Sequence, residues 1–152
     1  MKKTIMSLLL LTNLYAYEKG DVISDALASH IGCDGEKVYV VDFFASWCGS
    51  CKKEIPLLSK LNIKLDKTKF EIIGIDVDKK VSHGLKFQKM LKSSGNLNFR
   101  VINDPQNNII SAFTPLGMPT LYYIKDKKVV GIVTGAIDNV DSVVHKQLQE
   151  LE

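Results

Sequence analysis

Residues 38 to 44 read Val-Tyr-Val-Val-Asp-Phe-Phe, an almost unbroken apolar and β-branched run. Such a strand has no alternation of polar and apolar positions, so it needs cover on both faces, as a central strand between layers of helices has. One charge, Asp42, interrupts it, and Trp47-Cys48-Gly49-Ser50-Cys51 follows almost at once. Beyond the cysteines the period changes, and Ile55, Leu58, Leu61 and Leu65 recur at helical spacing. A buried strand therefore gives way to a helix at the two cysteines. Pro56 lies near enough to the helix start to kink it rather than end it.

The rest of the chain extends this pattern. Phe70 to Val77 reads as a second buried strand, and Val81, Leu85, Met90 and Leu91 sit loosely at helical intervals. A short helix is expected over 21–31, a short strand over Phe99 to Ile102, and one or two helical turns over Asn108 to Phe113. Thr120 to Ile124 and Val129 to Val133 flank the polar tip Lys125-Asp126-Lys127-Lys128 as a hairpin does. Asp138 or Asn139 can cap a last helix whose Val140, Val143, Val144, Leu148 and Leu151 share a face. Alternating strands and helices followed by an antiparallel hairpin predict an α/β class, with a mixed sheet and helices on both faces.

With 152 residues, 45% hydrophobic and 24% charged, the chain suits one globular domain rather than two or none. Met1 to Ala16 has the grammar of a secretory leader: Lys2 and Lys3, an apolar stretch from Ile5 to Leu11, and a small residue, Ala16, at its end. The apolar stretch is about half the roughly 20 residues of a spanning helix. The expected organisation is a signal peptide over 1–16 and one domain over 17–152 in an exported, periplasmic space. An uncleaved membrane anchor is the alternative. The formal charge is +3, and losing the two leader lysines leaves +1. With Arg100 the one arginine, nothing favours a nucleic acid as partner.

Three cysteines are too few to staple a fold. Cys48 falls at or just before a helix start, where free backbone N–H groups and the helix dipole favour a thiolate. Cys51, about one turn on, lies within the Cα separation of about 4.4–6.8 Å that a disulfide tolerates. Cys48 can then act as nucleophile and Cys51 as the resolving thiol. A zinc site fits less well, because Cys33, His30, His83 and His145 are scattered, and a bridge closing so short a loop adds little stability. Cys33, in Gly32-Cys33-Asp34-Gly35, reads as a solitary unreactive thiol, though an odd cysteine in an exported protein can also pair between molecules.

Val41-Asp42-Phe43-Phe44-Ala45-Ser46-Trp47-Cys48-Gly49-Ser50-Cys51-Lys52-Lys53-Glu54-Ile55-Pro56 resembles the active-site segment of the thioredoxin superfamily, in the form used by its exported TlpA and ResA branch. The likeness continues through Ile72 to Asp78, Asn103-Asp104 and Gly117-Met118-Pro119-Thr120, about residues 37–135 in all. It implies a thioredoxin-like three-layer fold and a thiol-disulfide oxidoreductase. It also implies a cis Met118–Pro119 bond beside the cysteines, with the backbone of Met118 pairing with an extended substrate, and Trp47 shaping the surface beside the disulfide. Asp42 matches the buried acid of thioredoxins proper. Desolvation would raise its pKa and let it relay a proton from Cys51, unless it sits near the strand end and reaches water. Where some members of the branch carry a glutamate after the second strand, this chain has Lys79. Glu54 and Pro56 fit the family pattern but read as an exposed first-turn acid and a kink.

Gly49-Ser50 contains no cation to stabilise a reduced Cys48, which favours the disulfide form and makes the protein a reductant. No cofactor is called for, because the dithiol itself holds the electrons. By resemblance the partners are protein thiol or disulfide clients, among them the haem-binding Cys-x-x-Cys-His sites of apocytochrome c, and a membrane thiol transporter that supplies electrons. A general thiol oxidant or isomerase, and a non-catalytic binding module, are the competing readings.

Overall fold

The computed structural model describes residues 16–152. Of the expected leader, residues 1–15 lie outside the described residues. Ten elements follow in order: α1 Asp25–Ile31, β1 Val38–Phe44, α2 Gly49–Lys64, β2 Phe70–Asp76, α3 Val81–Ser93, β3 Arg100–Asn103, α4 Asn108–Phe113, β4 Thr120–Lys125, β5 Lys128–Thr134 and α5 Val140–Glu150.

The five strands form one mixed sheet in the order β3-β2-β1-β4-β5. β1 is central, and all seven of its residues are buried. It pairs in parallel with β2 and antiparallel with β4, and β2 pairs in parallel with β3. Two successive crossovers in the same direction carry α2 and α3 over one face, as the right-handed rule for parallel neighbours requires. Phe44 meets Phe87 of α3 there, and α5 packs on α2. On the opposite face Phe113, at the end of α4, meets Phe43, Tyr122 and Tyr17 at centroid distances of 4.8–5.3 Å. Offset and edge-on aromatic pairs of this kind add to the area they bury.

Several boundaries differ from the sequence expectation for identifiable reasons. The first helix begins at Asp25 rather than near 21, because Ser24 caps it by accepting the Leu27 N–H, while Val22 bridges to Lys128 at the sheet edge. The third strand starts one residue late, at Arg100, whose guanidinium reaches the Ile31 and Gly32 carbonyls and Glu71. In α3 the packed residues are Gly84, Phe87, Gln88 and Leu91, whereas Val81, Leu85 and Met90 face solvent. Asn139 stands at the N-cap of α5 but makes no side-chain cap bond. The hairpin tip narrows to Asp126 and Lys127, both with φ near +55°, the geometry of a two-residue primed turn. The main helix runs through Pro56 without ending.

Candidate active site

The site gathers where β1 and β2 end and β4 begins, the crevice at strand ends that ligands favour in open α/β sheets. Cys48 is the N-cap of α2, and Gly49 and Ser50 open the helix. Its Sγ accepts the Cys51 backbone N–H at 3.2 Å, a bond that would strengthen on a thiolate. The two cysteines form a disulfide with Cα atoms 5.3 Å apart. Cys51 is sealed at 1% exposure while Cys48 keeps 7%, so an incoming sulfur reaches Cys48 first. No acidic side chain in the first turn of α2 opposes the thiolate.

The turn that carries the cysteines is tied to the β2–α3 loop. Ser46 donates its backbone N–H to Asp78 Oδ2 at 2.7 Å and its hydroxyl to Asp78 Oδ1 at 2.8 Å. Asp78 is itself fixed, its N–H donating to Asp76 Oδ1, and Asp76 Oδ2 accepts from Gln88. The side chain of Trp47 is left standing out, 67% exposed, beside the disulfide.

Across the site the Met118–Pro119 bond is cis. Thr120 pairs with Phe43, which brings Pro119 to the end of β1, and the Pro119 carbonyl accepts the Gly135 N–H. Met118 and Trp47 line a common groove, so the tertiary fold brings together two loops separated by about seventy residues.

Two neighbouring carboxyl groups are buried, one on β1 and one on α2. Asp42 is 1% exposed, and neither oxygen has a hydrogen-bond partner among the described residues. Its carboxyl is pushed far up, by burial first and by the neighbouring Glu54 second. The alternative in which Asp42 reaches water does not hold. Glu54 corrects the sequence expectation outright. It is 4% exposed, its Oε1 is unpartnered among the described residues, and burial raises its carboxyl to about 7. It belongs to the second turn of α2 and points inward because Cys51, Glu54, Leu58, Leu61 and Leu65 form one stripe. The apolar part of that stripe is plain in the sequence, but a glutamate one residue before an apolar Ile55 reads as surface. Tyr123 shares the sheet face of Asp42, its hydroxyl also unpartnered among the described residues, and burial raises its pKa.

Cys33 is free and fully buried, and burial lifts its thiol to about 12. A thiol so far from ionising takes no part in exchange at neutral pH. Among the described residues, no three His, Cys, Asp or Glu side chains are grouped to hold a metal ion, and no helix is long and apolar enough to cross a membrane.

Residues 24–133, more than half of the chain, match the AhpC/TSA family. The chain belongs to the AhpC/TSA family. This AhpC/TSA chain is 29% identical over 113 residues to thiol-disulfide oxidoreductase ResA of Bacillus subtilis (strain 168), covering 73% of itself and 59% of ResA. It is 31% identical over 125 residues to thioredoxin H-type 2 of Nicotiana tabacum, covering 78% of itself and 82% of that protein. These relatives place it in the thioredoxin superfamily, beside ResA. It spans about three fifths of the length of the ResA proteins it matches. Its fold superposes on a putative thiol:disulfide interchange protein DsbE from Chlorobium tepidum with a TM-score of 0.73 at 23% identity, covering 89% of this chain and 98% of that one. The thioredoxin-like α/β fold expected from the sequence is the fold observed.

Proposed function

We propose that this protein is an exported thiol-disulfide reductase. The observation that carries the reading is the Cys48–Cys51 pair at the start of α2, its outer sulfur bonded by a helix amide, with two buried carboxyl groups on the strand and helix that it joins. In the dithiol form, the Cys48 thiolate attacks one sulfur of a client disulfide and the other leaves as a thiolate that takes up a proton. The Asp42–Glu54 pair, ionised once, takes the proton of Cys51 through Asp42, and Cys51 attacks Cys48 Sγ. The Cys48–client bond breaks and the client's second thiol is released. Two electrons pass to the client, and the protein ends as the Cys48–Cys51 disulfide. Glu54, buried beside Asp42, shares the proton load, since two adjacent carboxylates in a dry site resist both being ionised.

With no cation in Gly49-Ser50, the reduction potential belongs at the reducing end of the thioredoxin-fold range, below about −200 mV. A client chain would lie extended beside Met118 and Pro119, with Trp47 forming the rim. The organisation read from the sequence, a leader over 1–16 and a domain over 17–152, puts this chemistry outside the cytoplasm. There a membrane thiol transporter would regenerate the dithiol, and the Cys-x-x-Cys-His disulfide of apocytochrome c is a client of suitable chemistry. ResA relatives carrying the name thiol-disulfide oxidoreductase support the reaction class.

The test uses the full chain reduced to its dithiol. It should reduce insulin and an oxidised Cys-x-x-Cys-His peptide, and Cys51→Ala should hold a client as a stable mixed disulfide through Cys48. Failure on both substrates would return the chain to a binding role, and a potential above about −150 mV would make it an oxidant.

A further inference from the structure

A groove of about 530 Å³ lies between Trp47, the residue before Cys48, the β2–α3 loop and the Met118–Pro119 loop. One wall is apolar, made by the exposed indole of Trp47 with Met118 and Ile110. Lys79 and Lys80 bring two cations to the same groove, with the His83 imidazole next to them. Among the described residues neither lysine has an ion-pair partner. The one carboxylate on the groove, Asp78, is occupied, with both oxygens accepting hydrogen bonds from Ser46. Helix stability does not account for the cations either. Lys80 is the N-cap of α3, where the helix dipole disfavours positive charge and no acidic residue in the first turn offsets it.

Resting on the reductase reading, we infer that this groove selects acidic clients: it seats an extended segment with an apolar residue against Trp47 and Met118 and a Glu or Asp against Lys79 and Lys80. The carboxylate falls within three residues of the reacting cysteine. That is about 10 Å of extended chain. Apolar contact holds the segment, and charge complementarity chooses among sequences and speeds encounter.

The experiment compares three disulfide-bonded peptides identical except for Glu, Gln or Lys two residues from the cysteine. Each is reduced by the full-length dithiol protein and followed by the fluorescence of Trp47, the single tryptophan. At about 0.01 M salt the Glu peptide should react about fivefold faster than the Gln peptide, equivalent to about 1 kcal/mol and within reach of two exposed ion pairs. The Lys peptide should be the slowest. At about 1 M salt, where the Debye length shrinks from about 30 Å to about 3 Å, the preference should all but vanish. In Lys79→Gln/Lys80→Gln the Glu preference should fall below about twofold while the Gln peptide keeps its rate. A Glu peptide no faster than the Gln peptide, or a preference that survives the double variant, overturns the inference. Affinities of the oxidised protein for linear Ser-for-Cys versions separate the two readings. Tighter binding of the Glu form without reduction of any peptide would remove the reductase and keep the groove. Equal binding and equal reduction would remove the groove and keep the reductase.

Discussion

Replacing Glu54 with glutamine should make the protein more stable at pH 7.5 than its parent, by a margin that closes on acidification. In the folded chain the Glu54 carboxyl is enclosed beneath α2 and burial holds it near 7. In an unfolded chain a glutamate titrates near about 4.3. Between those two values the folded state keeps a proton that the unfolded state has released. Stability therefore falls as pH rises from about 4.3, by about 1.4 kcal/mol per pH unit, and levels off once Glu54 ionises near 7. The total is roughly 3–4 kcal/mol, opposite in sign to the behaviour of a salt-bridged carboxylate. A glutamine amide at this position carries no proton to lose, and removing the neighbouring charge eases one of the two causes that raise Asp42. Urea melts of the oxidised full chain at several pH values, parent against Glu54→Gln, give the quantity directly. The difference between the two should shift by about 3 kcal/mol in favour of the variant between about pH 4.5 and 7.5. A fixed packing loss in the variant offsets all points equally and leaves that shift intact. A shift below about 1 kcal/mol would mean that Glu54 is not a buried, protonated acid, and the carboxyl pair would lose its place in the mechanism.

Three further outcomes rest on the same geometry. Asp42→Asn should slow resolution of a Cys48 mixed disulfide by about 10²-fold at about pH 7, the scale of a lost general base. An unchanged rate at neutral pH would free Asp42 of any role. Gly84→Ala is a sign test, because helix propensity alone gains about 1 kcal/mol. A Cβ there would lie 2.5 Å from Asp76 Oδ2, so thermal denaturation should show a net loss of about 1–2 kcal/mol. Phe113→Ala should lose about 3–5 kcal/mol by opening a cavity among Phe43, Tyr122 and Tyr17, measured as a lower urea midpoint at unchanged m-value.

The central strand, the helix after it and the cysteine pair at their junction are legible in the sequence, because each is written in consecutive or helically spaced residues. Val38 to Phe44 has no polar face to offer water, and Cys48 and Cys51 are one turn apart wherever a helix starts between them. The α3 face is not legible in the same way, because its packed side includes Gly84 and Gln88, which carry no apolar signal. Gly84 is there for its lack of a Cβ against Asp76, and Gln88 for its bond to that same carboxylate. Glu54 misleads because charge suggests a surface, and only the position of α2 against β1 sends that side of the helix inward over Asp42. The groove likewise depends on pairings distant in the chain: Thr120 with Phe43 sets Met118 opposite Trp47, and Ser46 with Asp78 holds the loop of Lys79 and Lys80 beside the disulfide. Local period and spacing were enough to say which segments must be buried and where two sulfurs meet. Which polar groups lose their water, and which loops share one surface, was settled by packing, since desolvation and long-range adjacency exist only once the layers close.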